Sequence, residues 1–354
     1  GADTTLTTTD SNITFSSTVD SDSTSRDLTL TLGNGSASIT GIVGTTSLAD
    51  ITLNSSATFN AAITATNLTI AANKTATVKD DVTIASTIAL SGSSTLEVIN
   101  TSAMTIAGTI TDTGTGNSIT VNDNDANTAP NIVTFSGTVA ADTIYVGDTA
   151  AATYAGYAHF TGSGGVTVTD ATVTSGDHAN EYSIMQFDYA VSASNEITIN
   201  DKNGTAYQAY LIFSGDNTAT IAGNIVTVDD EGTLQVTGTG KTFAGSIGSS
   251  TYQLELINID VATTFNGAVY TTDLEVDGAI TSTSSLSVSE ISAINADVTT
   301  TGTQTYTGAV TLNADVILST TNNNITFGAT INSFDTTYRD LSLVTGSGNV
   351  SVTG

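Results

Sequence analysis

The sequence predicts an all-β solenoid, a parallel stack of coils of about 20–22 residues, on three observations. Residues with branched β-carbons dominate and alternate with polar ones. Turn residues punctuate that alternation at short intervals. A short aromatic motif recurs at steps of 21 and 22 residues.

The strands come first. Thr, Val and Ile favour extended backbone because branching at Cβ restricts χ1. Leu28, Leu30 and Leu32 alternate with polar residues, as do Ile197 and Ile199, Leu254 and Leu256, Leu274 and Val276, and Leu341 and Leu343. In a strand this places the apolar side chains on one face. Gly33-Asn34-Gly35, Lys202-Asn203-Gly204 and Gly346-Ser347-Gly348 are turn signals.

The motif is an aromatic, a small residue two places on, and Val or Ile four places on. It occurs as Phe15-Ser17-Val19, Phe59-Ala61-Ile63, Phe135-Gly137-Val139, Phe243-Gly245-Ile247, Phe265-Gly267-Val269, Tyr306-Gly308-Val310 and Phe327-Ala329-Ile331. Phe160 and Phe213 start it but fail at Gly164 and Asn217. Read as one strand, the three positions share a face and the small residue leaves room for the ring. Phe243 to Phe265 is 22 residues and Tyr306 to Phe327 is 21, while Phe265 to Tyr306 is 41. A unit of that size cannot bury its own face and must stack on neighbours. On this reading Phe243 lies beside Phe265, one coil apart and in parallel register. The alternative is tandem β-sandwich domains, because the Phe59 and Phe265 copies lie 206 residues apart, about two domains of roughly 100 residues.

The two ends of the sequence match. Asn12-Ile13-Thr14-Phe15, Arg26-Asp27-Leu28 and Gly33-Asn34-Gly35 reappear as Asn324-Ile325-Thr326-Phe327, Arg339-Asp340-Leu341 and Gly346-Ser347-Gly348. Two explanations stand side by side: an internal duplication, and end-to-end stacking of copies. Stacking assigns the assembly ends to Ile13, Phe15, Val19, Leu28 and Leu30, meeting Ile325, Phe327, Ile331, Leu341 and Leu343.

Runs such as Thr264-Phe265-Asn266-Gly267-Ala268-Val269 and Asn324-Ile325-Thr326-Phe327-Gly328-Ala329-Thr330-Ile331 resemble the strand repeats of giant secreted bacterial surface proteins. These proteins include filamentous-haemagglutinin-like adhesins and autotransporter passenger regions. The resemblance covers residues 1–140 and 220–354. It implies a right-handed β-helix, export and a role at the cell surface.

Residues 141–219 depart from the pattern and read as irregular Tyr-rich coils or an inserted β region. Seven of the 11 tyrosines lie there. Tyr154, Tyr157, Tyr182 and Tyr189 are candidates for a binding face, for instance toward cell-surface glycans. The other reading is larger core residues in irregular coils.

Composition narrows the function. Six basic residues against 34 acids give a formal charge of −28. Nucleic acid and anionic membranes are thereby disfavoured as partners, since phosphate contacts need clustered Lys and Arg. No apolar run reaches the length of a membrane helix. There is no Cys, so disulfides play no part. The chain begins at Gly1 and reads as a processed form or a piece of a longer protein. His159 and His178 sit in no nucleophile motif, and paired carboxylates are too common to mark a glycosidase. Asn122-Asp123-Asn124-Asp125 offers oxygen ligands at alternate positions, with Asp123 and Asp125 as candidate calcium ligands. Asp20-Ser21-Asp22 and Asp229-Asp230-Glu231 are weaker ones. A solvated acidic turn is the competing reading of each. The expectation is a secreted, non-enzymatic structural protein that assembles with copies of itself into a filament, sheath or surface layer. An adhesin stalk or binding module is the alternative, and a polysaccharide-active enzyme comes third.

Overall fold

A computed structural model of the chain describes residues 2–123, 130–147, 155–175, 182–201, 208–228 and 230–353. These form strands, turns and bends, with no helix among them. They fall into two compact units, Gly1–Met185 and Gln186–Gly354. Each is a parallel β-solenoid, and together they hold about 14 turns. The division falls inside the Tyr-rich stretch, whose described strands pair in parallel within each unit.

Tandem sandwiches are excluded by strand direction. Within each unit the described pairings are parallel, as between Thr4–Thr7 and Leu28–Thr31 or Gln304–Tyr306 and Ile325–Phe327. A sandwich of hairpins would pair antiparallel neighbours. The expected stack is present: Phe243 is the register partner of Phe265, and Ile247 bridges Val269. The two rings stack with centroids 5.2 Å apart.

Each coil has three sides. In the second unit Val269, Tyr270 and Thr271 lie beside Leu286, Ser287 and Val288. Leu274, Glu275 and Val276 lie beside Ser292, Ala293 and Ile294, and Ile280–Ser282 lies beside Val298–Thr300. On every side alternate residues point inward, and the branched and aromatic side chains fill the lumen. Burying one such side chain contributes about 1.5–3 kcal/mol.

The aromatic motif is a corner and not a strand face. Phe59 ends the strand Ala57–Phe59 and Ile63 opens Ile63–Ile70. Phe135 and Val139, Phe265 and Val269, Tyr306 and Val310, and Phe327 and Ile331 stand in the same relation. The small residue lies between the two strands, where neighbouring coils touch backbone to backbone. A Cβ on Gly245 would fall 2.0 Å from the Gly223 carbonyl oxygen, and one on Gly267 2.3 Å from that of Gly245. The glycine therefore admits the next coil, whereas the sequence reading had it admitting a ring.

Corners can be exchanged, and this explains the irregular spacings. The Phe265 row continues through Ser282 to Thr300, whereas Tyr306 continues a different side, from Thr271 through Val288. The 41-residue step is thus two coils plus one side. Coil length varies more widely than expected, from 17 residues between Asp50 and Asn67 to 30 between Val191 and Ile221.

Candidate assembly surfaces

The first coil of the first unit has an open edge. Thr4–Thr7 pairs with Leu28–Thr31, and Ile13–Phe15 with Ala37–Ile39. Among the described residues no strand lies on their outer edges. Leu6, Ile13, Phe15 and Val19 are partly exposed there. Leu28 and Leu30, expected at this end, lie one coil further in, buried beneath Thr4 and Leu6. Thr4–Thr7 carries a single apolar residue, Leu6, and so shows no alternation in the sequence.

The last coil of the second unit is also open-edged. Leu341–Val344 pairs with Val316–Thr320, and Val350–Val352 with Ile325–Phe327. Ile331, Leu341 and Leu343 are partly exposed, and Val350 and Val352 are exposed. Ile325 and Phe327 are fully buried under Val350 and Val352, so they too are inner residues.

These two coil pairs are built alike, side chain by side chain. Asn12 Oδ1 accepts from the Ser36 amide at 2.9 Å, and Asn324 Oδ1 from the Asn349 amide at 2.9 Å. Asp10 Oδ1 accepts from Asn34 N, and Asn322 Oδ1 from Ser347 N. The Thr8 hydroxyl donates to Ser11 O, as does that of Thr320 to Asn323 O. Asp22 accepts from Thr24 N and pairs with Arg26; Asp335 accepts from Thr337 N and pairs with Arg339. The sequence match is therefore a match of structure at these positions, with the Arg339–Asp335 pair the looser of the two.

Many acids among the described residues serve as coil-to-coil clamps. At a corner the ladder lapses and a backbone N–H loses its partner. A carboxylate one coil away accepts it: Asp81 from Thr105 N at 2.7 Å, Asp273 from Ile291 N at 2.9 Å, Asp297 from Ile317 N at 2.8 Å, Asp315 from Asp340 N at 2.8 Å. The weaker calcium candidates behave likewise. Asp20 accepts from Thr46 N and the Thr45 hydroxyl, and Glu231 accepts from Asp201 N. Asp123 is buried, and its carboxylate takes both the Asn131 amide N–H at 2.6 Å and the Asn131 side chain at 3.0 Å. Asp125 and Asp229 lie outside the described residues. Among the described residues no three His, Asp or Glu side chains gather in a way that could hold a metal ion.

One buried cation escaped sequence reasoning. Lys241 opens the strand Lys241–Phe243 and is 1% exposed. Its ammonium donates to Asp188 O at 3.2 Å, to Asn217 O at 3.3 Å and to Gly215 O. Burial pushes the group below the usual lysine range, and the carboxylates of Asp188 and Asp216 pull it back. It ties three successive coils together.

The described tyrosine candidates fall in both units. Tyr157 faces outward from Tyr157–Phe160, whose Ala158 and Phe160 fill the core. Tyr182, in the first unit, and Tyr189, in the second, are half-buried. Tyr154 lies outside the described residues, as does His178.

No protein-family model matches the chain, and no curated protein or solved structure matches it.

Proposed function

We propose that this is a non-enzymatic, extracellular structural protein whose copies stack end to end into a filament, sheath or surface layer. The observation that carries the reading is the likeness of the first and last coil pairs. Their inward rows have the same spacing, so one can continue the other. In such a stack Leu343 lies against Leu6 of the next copy as Leu6 lies against Leu30 within one copy. Val350 then meets Ile13, and Val352 meets Phe15. The unpaired strand edges gain a full ladder of parallel hydrogen bonds. A contact between two different faces does not close on itself, so it propagates.

Charge opposes the contact, because each copy carries a formal −28. Divalent cations, calcium above all, should promote growth by screening and bridging the acidic rims, and chelator should reverse it. The test is sedimentation and electron microscopy of the purified chain across concentration, with and without millimolar calcium. Fibres that lengthen with concentration support the proposal. A monomer under every condition overturns it.

A further inference from the structure

The two matched coil pairs differ pointedly in one loop. Residues 21–27 read Ser-Asp-Ser-Thr-Ser-Arg-Asp, and their equivalents 334–340 read Phe-Asp-Thr-Thr-Tyr-Arg-Asp. The aspartate, the arginine and the Asx hydrogen bond are kept. Two serines have become Phe334 and Tyr338, which are 72% and 97% exposed. No other large apolar side chains are so bare among those described. The same loop is incompletely bonded. Arg26 grips Asp22 with two nitrogens at 3.3 Å, whereas Arg339 reaches Asp335 at 3.9 Å and its Nε is buried without an acceptor.

The first unit holds a cavity of matching character. The lumen of its first coil opens as a space of about 440 Å³ lined by Leu6, Phe15, Val19, Leu28 and Leu48. The Asp22–Arg26 pair stands at its side. Large exposed apolar groups and an open apolar cavity both mark interaction surfaces.

We infer that Phe334 and Tyr338 of one copy seat in the lumen mouth of the next, with the phenol ring over the Asp22–Arg26 corner. This rests on the end-to-end reading and supplies its specific contact. The corner is fixed by equivalence. When Leu341 lies beneath Thr4 of the next copy, the loop just before Leu341 lies beneath the segment just before Thr4. Ala2 and Asp22, which line the cavity, stand at that corner. The Tyr338 ring over the guanidinium would add a cation–π contact.

The test is the double variant Phe334→Ser/Tyr338→Ser, which rewrites the loop toward the sequence its equivalent already carries. Folding should be untouched, as read by circular dichroism and thermal melting. The critical concentration for assembly should rise about tenfold or more, given the area two aromatics bury. As a second readout, a Phe334→Trp chain should shift its emission to shorter wavelength as it assembles. A double variant that assembles like the parent, while Val352→Asp does not assemble, overturns the aromatic contact and leaves stacking intact. A parent chain that never assembles overturns both.

Discussion

Gly33 and Gly346 hold the same left-handed backbone, φ 61° and 59°, each opening the same turn one coil from the Asp10 or Asn322 side chain that caps it. Such a conformation is open to glycine at little cost and to other residues at a penalty. Its recurrence with the caps, the clamps and the ion pair shows that the likeness of the two coil pairs extends to conformation. The same logic, a corner fixed by one small residue and one acceptor, runs through both units.

Gly245→Ala tests the corner. The added methyl group would press on the Gly223 carbonyl oxygen. The variant should lose about 1–3 kcal/mol in denaturant unfolding. Ala61→Gly, at a corner that already accepts a methyl group, should lose less than Gly245→Ala. Equal losses would mean that the glycine is not there for close approach.

Lys241→Met removes the buried ammonium and with it one donor each to the Asp188, Gly215 and Asn217 carbonyls, of which Asp188 O and Gly215 O keep a donor from Asn217. The expected loss is about 1–3 kcal/mol. Hydrogen exchange should locate the opening in the coils around 188, 217 and 241, because solenoid coils interact chiefly with their neighbours. An unchanged stability would show that the ammonium can be replaced by packing alone.

Asp297→Asn keeps the oxygen that accepts from Ile317 N, and Asp297→Ala removes it. The amide should be nearly neutral, as Asn322 and Asn324 do the same work elsewhere. The alanine should cost about 0.5–1.5 kcal/mol. If both variants lose stability alike, the carboxylate charge matters and the clamp account is wrong.

Glu255 gives a pH dependence. Burial, reinforced by the nearby Asp273 carboxylate, raises its pKa above the usual glutamate range. The folded state therefore binds this proton more tightly than the unfolded state. Its contribution is fully present below the unfolded pKa and is lost as pH rises through the folded one. Glu255→Gln should thus be more stable than the parent at neutral pH, with the gap closing on acidification. Parallel stability curves across that range would contradict the assignment.

Much of the fold was legible, because period-2 alternation and the Phe243–Phe265 step report strand and coil directly. The corner was not. An aromatic, a small residue and a branched residue at alternate positions fit one strand face as well as two strands meeting, and only the Phe59 to Ile63 break between strands separates the cases. Leu28, Leu30, Ile325 and Phe327 were assigned one coil too far out because Thr4–Thr7 and Val350–Val352 are too short to show a pattern. Lys241 was hidden by its ordinary setting in a strand, since its acceptors are carbonyls up to 53 residues away. The acids were read as surface charge because a clamp joins residues about one coil apart. Asp315 and Asp340 illustrate this, 25 residues apart.

The most direct measurement uses the absence of cysteine from the chain. One population carries Leu6→Cys and another Leu343→Cys, and the two are mixed under oxidising conditions. Stacking places these positions side by side on adjacent parallel strands, within the roughly 4.4–6.8 Å Cα separation that a disulfide spans. The account predicts a covalent dimer in the mixture well above the level in either population alone. A mixture with no more dimer than its separate components would contradict end-to-end stacking.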